Sequence, residues 1–156
     1  MGSFQAKERL MRQHTAIGYT LVMAVLGLVG CATLNDVVQE KNQGGGTAQV
    51  YPVDTDQAWK IALTVFRWEG SDAIEEHRDQ GYMLTSSGMN LVSAGAVMGA
   101  WVEPAGQGQT KVTVVTKRRI ATNIATTLTE TTFQKRFGQA VAMVKAGQPL
   151  PARPPD

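Results

Sequence analysis

The chain has 156 residues, enough for one modest domain. Its hydrophobic content of 43% and charged content of 18% are those of a globular protein. A single cysteine excludes an intrachain disulfide and any zinc site built on paired cysteines. The formal charge of +2 is carried by the first dozen residues, where Lys7, Arg9 and Arg12 face only Glu8. Without residues 1–30 the chain holds 12 basic and 12 acidic residues. The basic sequence pI of 8.8 therefore belongs to the N-terminal segment and gives no support to nucleic-acid binding, which needs a basic surface on the folded domain.

Residues 1–14 are polar and net positive, and residues 16–29 (AIGYTLVMAVLGLV) carry no charge. As a helix this run is roughly 21 Å long, short of the roughly 30 Å of hydrocarbon in a bilayer and suited to the core of a signal peptide. Leu28-Val29-Gly30-Cys31 then resembles the lipobox of bacterial lipoproteins: an aliphatic residue, a tolerant position, a small residue and a cysteine. The resemblance covers residues 1–32. It implies cleavage between Gly30 and Cys31, diacylglycerol on the Cys31 thiol and a fatty acyl chain such as palmitate on the new amine. Ala32, where inner-membrane retention uses Asp, implies the periplasmic face of the outer membrane, with the inner membrane as the alternative. The competing reading is an uncleaved short anchor ending in a buried cysteine. Met1-Gly2-Ser3 is a poorer match to myristoylation, because Ala6 stands where Ser or Thr is wanted.

Residues 31–46 lack an extended periodic core and include Gly44-Gly45-Gly46, so they are expected to form a lipidated cysteine and flexible tether. A coil of about 16 residues spans roughly 20–24 Å. The folded domain is expected over residues 47–147. Gln49-Val50-Tyr51-Pro52-Val53 reads as a first strand with Pro52 near its end or on an edge. Asp54 caps a helix over residues 55–69, with Gln57 at the capping-box position. Trp59, Leu63 and Phe66 form one apolar row of that helix, and Ile61, Val65 and Trp68 a second. Residues 73–77 are a weak strand, Asp79-Gln80-Gly81 a turn and residues 82–86 its hairpin partner. Residues 97–104 give another strand. Residues 110–117 (TKVTVVTK) give the clearest one, rich in β-branched side chains.

A last helix is expected to start at Thr127, spaced for a capping box with Glu130, and to bury Phe133, Phe137, Ala140, Val141 and Val144. Gly147 and Pro149 end it, and residues 148–156 are expected to be a disordered tail. The order strand, helix, strands, helix predicts an α+β fold: an antiparallel sheet of four to five strands with two helices packed on one face. Over residues 48–146 this order resembles small helix-grip-type periplasmic lipoprotein domains, among them uncharacterised envelope lipoproteins and the C component of the β-barrel assembly machine. The resemblance implies binding to other envelope proteins and carries over no catalytic residue.

His77 is the last of two histidines and follows Glu75 and Glu76. On a strand Glu75 shares its face and Glu76 does not, and a solvated strand edge accounts for it better than acid–base or metal chemistry. None of Ser71, Ser86, Ser87 and Ser93 sits in a Gly-x-Ser-x-Gly elbow. The glycine triplet lacks the ending of a phosphate loop. Neither an enzymatic activity nor a cofactor or metal is expected.

Lys117, Arg118 and Arg119 close the best strand and form a candidate anionic contact, set against a plain solvated strand end. The uncharged segment 88–100 is set between an irregular strand and a pliable apolar binding surface built on Met89, Leu91, Met98 and Trp101. The expectation is a lipid-anchored, non-catalytic interaction or scaffold module whose partner is another envelope protein. A hydrophobic or lipid ligand-binding module is the alternative.

Overall fold

The computed structural model describes residues 32–71, 73–86, 95–118 and 129–155. Cys31 and the segment before it, including Gly30, lie outside them, as do Met89, Leu91, Arg119 and Thr127. A compact unit spans Ala32–Asp156. In chain order its elements are α1 (Leu34–Asn42), β1 (Thr47–Tyr51), α2 (Thr55–Trp68), β2 (Ile74–His77), a 3-10 turn (Arg78–Gln80), β3 (Tyr82–Ser86), β4 (Ala96–Gly106), β5 (Gln109–Arg118) and α3 (Glu130–Lys145). The five strands form one antiparallel sheet in the order β1-β5-β4-β3-β2. The fold is α+β, as the alternation of strand and helix patterns predicts.

α2 and α3 cover one face of the sheet. Asp54 caps α2 by accepting from the Gln57 N–H at 2.7 Å. The two apolar rows of α2 are buried at Trp59, Ile61, Val65, Phe66 and Trp68. They meet Phe133 and Phe137 of α3 and the inward residues Met83, Met98, Val112 and Val114 of the sheet. Phe66 and Phe133 pack at 5.0 Å between centroids, Tyr51 and Phe137 at 4.5 Å. The cap of α3 is Thr129, two residues beyond the expected Thr127, and its hydroxyl accepts from the Thr132 N–H at 3.2 Å. Glu130 is thereby released from a capping box. Its carboxylate instead accepts from the Thr47 hydroxyl and, at 3.0 Å, from the Thr116 N–H, tying α3 to β1 and β5.

A buried amide reinforces that tie. Gln134 is 4% exposed, and its Nε2 donates to the carbonyls of Thr47 at 2.9 Å and Val112 at 3.1 Å. The Tyr51 hydroxyl lies 2.7 Å from the side-chain oxygens of Gln134 and Gln49, to either of which it can donate its proton. Burial pushes the Tyr51 hydroxyl up to about 12, so it remains a donor across the neutral range.

Two expectations are corrected here. The flexible tether is largely helical: α1 occupies Leu34–Asn42 and lies on the second face of the sheet. Its apolar residues recur at Leu34, Val37 and Val38, the i, i+3, i+4 spacing of one helix face. Val37 is fully buried in a second cluster with Leu84, Val97, Trp101 and Val115. Nine residues make a marginal helix in isolation, so this packing is what holds it. The Asp36 carboxylate secures its start, accepting from the Thr33 N–H at 2.6 Å and hydroxyl at 2.9 Å. These bonds favour the carboxylate and hold its pKa below the usual range.

The C-terminal tail is the second correction. Leu150 packs against the main core, and the Pro151 carbonyl accepts from the Trp68 indole N–H at 2.9 Å. A buried indole N–H needs an acceptor, and the tail supplies it.

Phe66→Ala and Phe137→Ala are each expected to destabilise the unit by about 3–5 kcal/mol, the usual range for emptying a buried phenylalanine site. Chemical denaturation measures this, and a loss below about 1 kcal/mol at both positions contradicts the packing described.

Candidate functional site

Strand alternation decides the fate of the residues singled out in the sequence. Met98 and Trp101 are separated by three positions on β4, so they point to opposite faces. Met98 is fully buried in the main core and is not a binding surface. Trp101 is 9% exposed and lies in the second cluster with α1. With Met89 and Leu91 outside the described residues, the proposed apolar surface is not assembled by the residues seen.

The basic cluster is divided in the same way. Lys117 and Arg118 are consecutive on β5 and leave opposite faces of the sheet. Lys117 forms an ion pair with Glu40 of α1 and lies near enough to Asp36 to influence it. Arg118 is exposed. The described part of this cluster is thus one paired lysine and one solvated arginine, not a single cationic patch.

What the structure assembles instead is a polar and aromatic row beside α1. His77 stacks on Tyr82 with centroids 4.5 Å apart and planes 21° apart. Tyr82 in turn stacks on Trp101 at 5.7 Å and 25°. The register explains the row, because His77 pairs with Tyr82 across β2–β3 and Tyr82 with Trp101 across β3–β4. Lys41 of α1 closes it, with its ammonium 5.7 Å from the Trp101 ring centroid and 3.9 Å from Glu103. Glu103 is also 3.0 Å from Lys111. Glu75 lies 3.9 Å from His77. Trp101 and Tyr82 belong to the cluster that α1 covers, while the His77 side chain, 35% exposed, carries the row out toward solvent.

α1 approaches closely because two glycines permit it. A Cβ on Gly99 would stand 2.6 Å from the Trp101 ring and 2.9 Å from Val37. Gly46 has φ +96, and its Cβ would meet the Val114 carbonyl at 2.5 Å. The third glycine of the triplet therefore fixes the return from α1 into β1.

On the opposite face an open cleft of about 260 Å³ lies at the start of α2, lined by Asp56, Trp59, Arg78, Gly81, Val102 and Pro104 among others. Its charges are already matched. Arg78 pairs with Asp56 and sits 5.4 Å from the Trp59 ring centroid, and the Trp59 indole donates to Glu76 at 2.8 Å. Among the described residues no group of three His, Cys, Asp or Glu converges on a metal position. Nor is any described helix long and apolar enough to cross a membrane.

One buried acid stands apart. The Glu69 side chain is 1% exposed, 3.1 Å from Arg136. Burial raises its pKa and Arg136 lowers it, with burial the larger. Arg136 also donates to the Trp68 carbonyl at 3.0 Å. The pair closes the end of α2 onto α3 and is structural.

Neither protein-family models nor curated protein sequences match the chain.

Gly99→Ala is expected to push Val37 and Trp101 apart and loosen α1, read as faster amide exchange across residues 34–42 with little change in α3; unchanged exchange contradicts the close approach. For Glu69, a folded pKa above the unfolded one means that its stabilising effect is present below the unfolded value and lost as pH rises through the folded value. Glu69→Gln is therefore expected to gain stability relative to the unsubstituted chain as pH rises from about 4 to about 7. Urea denaturation at both pH values checks the sign.

Proposed function

We propose that the chain is an envelope lipoprotein, lipidated on Cys31 and carrying a non-catalytic interaction domain. The observation that carries this reading is Leu28-Val29-Gly30-Cys31 at the end of an uncharged run behind a basic N-terminus. The boundary of the compact unit supports it. That unit begins at Ala32, the first residue after the cysteine, and Ala32 and Leu34 already pack against the second cluster.

Lipidation there gives the domain a short leash. Only Ala32 and Thr33 separate Cys31 from α1, and a three-residue step extends to about 10 Å at most. The domain is held against the membrane surface rather than swung on a coil. Two or three acyl chains make the anchor effectively permanent, since each buried methylene contributes about 0.8 kcal/mol. Ala32 favours the outer membrane.

A scaffold role suits the interior better than a lipid-carrier role does. Phe66, Phe133, Phe137, Met83 and Met98 are fully buried between the helices and the sheet, and the cleft near α2 is edged by the Asp56–Arg78 ion pair. The partner in this reading is another envelope protein.

Cys31→Ala is expected to block processing, leaving the full-length precursor without acyl mass. Intact-mass measurement of membrane-extracted protein reads both changes. A mature wild-type species that begins elsewhere, or one that carries no acyl chain, overturns the proposal.

A further inference from the structure

The two edges of the sheet are built differently. β2 (IEEH) ends the sheet on one side and carries Glu75, Glu76 and His77 in four residues, followed at once by Arg78 and Asp79. Charge of this density is how sheets discourage further strand addition. β1 (TAQVY) ends the other side and carries no charge, no proline and no register shift against β5. Pro52 follows the strand and limits any pairing to these five residues.

β1 also bears Val50, which at 54% exposure is the exposed large hydrophobic side chain among the described residues. It projects from the face on which α1 packs, opposite Lys111 in the register. α1 lies on β3, β4 and β5 and leaves Val50 open. Lys111 itself is neutralised by Glu103, so the strip beside this edge has no net repulsion for a neighbour.

We propose that β1 is a homodimer interface, in which two copies of the chain join their sheets by antiparallel β1–β1 pairing. A two-fold axis through Gln49 uses the whole strand. Thr47 then faces Tyr51 of the second copy, Ala48 faces Val50, and Gln49 faces its own counterpart. A small residue thus meets each exposed valine, the two valines become diagonal neighbours, and no like charges oppose each other. The same operation on β2 brings glutamates together, so the assembly closes at two copies instead of growing into a fibre. The interface does not depend on lipidation, although two copies confined to one membrane surface meet more often.

The test uses the full chain extracted from membranes in a mild detergent, with the protein mass in the particle measured by sedimentation. Twice the mass of one chain is expected. Val50→Glu is expected to halve it: the new carboxylate sits beside Lys111 in a single copy, so folding is preserved, but the two-fold brings two carboxylates close. Circular dichroism of the variant checks the fold. Separately, Gln49→Cys is expected to give a covalent dimer on mild oxidation, with peptide mapping placing the crosslink between two copies of residue 49 rather than at Cys31. A single-chain mass for the wild type at the highest concentration reached overturns the proposal. So does a dimer that survives Val50→Glu without crosslinking through residue 49, or a residue 49 crosslink to a different protein.

Discussion

β4 is buried on both of its faces from Ala96 to Val102, and the rest of the architecture answers that constraint. A strand with one wet face needs a single covering layer; this one needs two. α2 and α3 supply the first through their aromatic rows. α1 supplies the second with little more than Leu34, Val37 and Val38. Without α1, Val97, Trp101, Leu84 and Val115 would form an exposed apolar patch, the kind that invites association. The short helix is therefore part of the domain.

The economy of that second layer explains its supports. A nine-residue helix gains little from its own hydrogen bonds, so it is fastened at several points: Asp36 at the cap, Glu40 to Lys117, Lys41 between Glu103 and Trp101. These exposed or half-exposed pairs each contribute modestly. Their value is in orientation, setting the helix across the strands so that Val37 drops over Gly99. Lys117 is used for this purpose, so of the described part of the basic run Arg118 alone is left to solvent.

Edge chemistry bears on how the domain meets other molecules. A lipid on Cys31 would leave almost no slack before α1, fixing which part of the domain lies near the bilayer. The charged β2 edge resists a further strand. The uncharged β1 edge does not, and α3 stands over it through Gln134 and Glu130, keeping it straight and in register with β5.

Much of this was legible in the amino-acid order. The Asp54 cap, the two apolar rows of α2, the β2–β3 hairpin and the β-branched strand β5 are local signals, each set by the conformational preference of a few neighbouring residues. The Leu34, Val37, Val38 spacing and the Thr33–Asp36 pair were also present, but a run of nine mostly polar residues is weak evidence for a helix until a surface exists for it to cover. That surface comes from β3, β4 and β5, up to 80 residues later in the chain. Strand alternation by itself parts Met98 from Trp101 and Lys117 from Arg118; tertiary structure alone decided which partner each face meets, so that Met98 enters the main core, Lys117 meets Glu40, and His77, Tyr82 and Trp101 form one row. Each outcome depends on strand register, and register is set by pairing between distant segments whose side chains alternate from face to face with every residue.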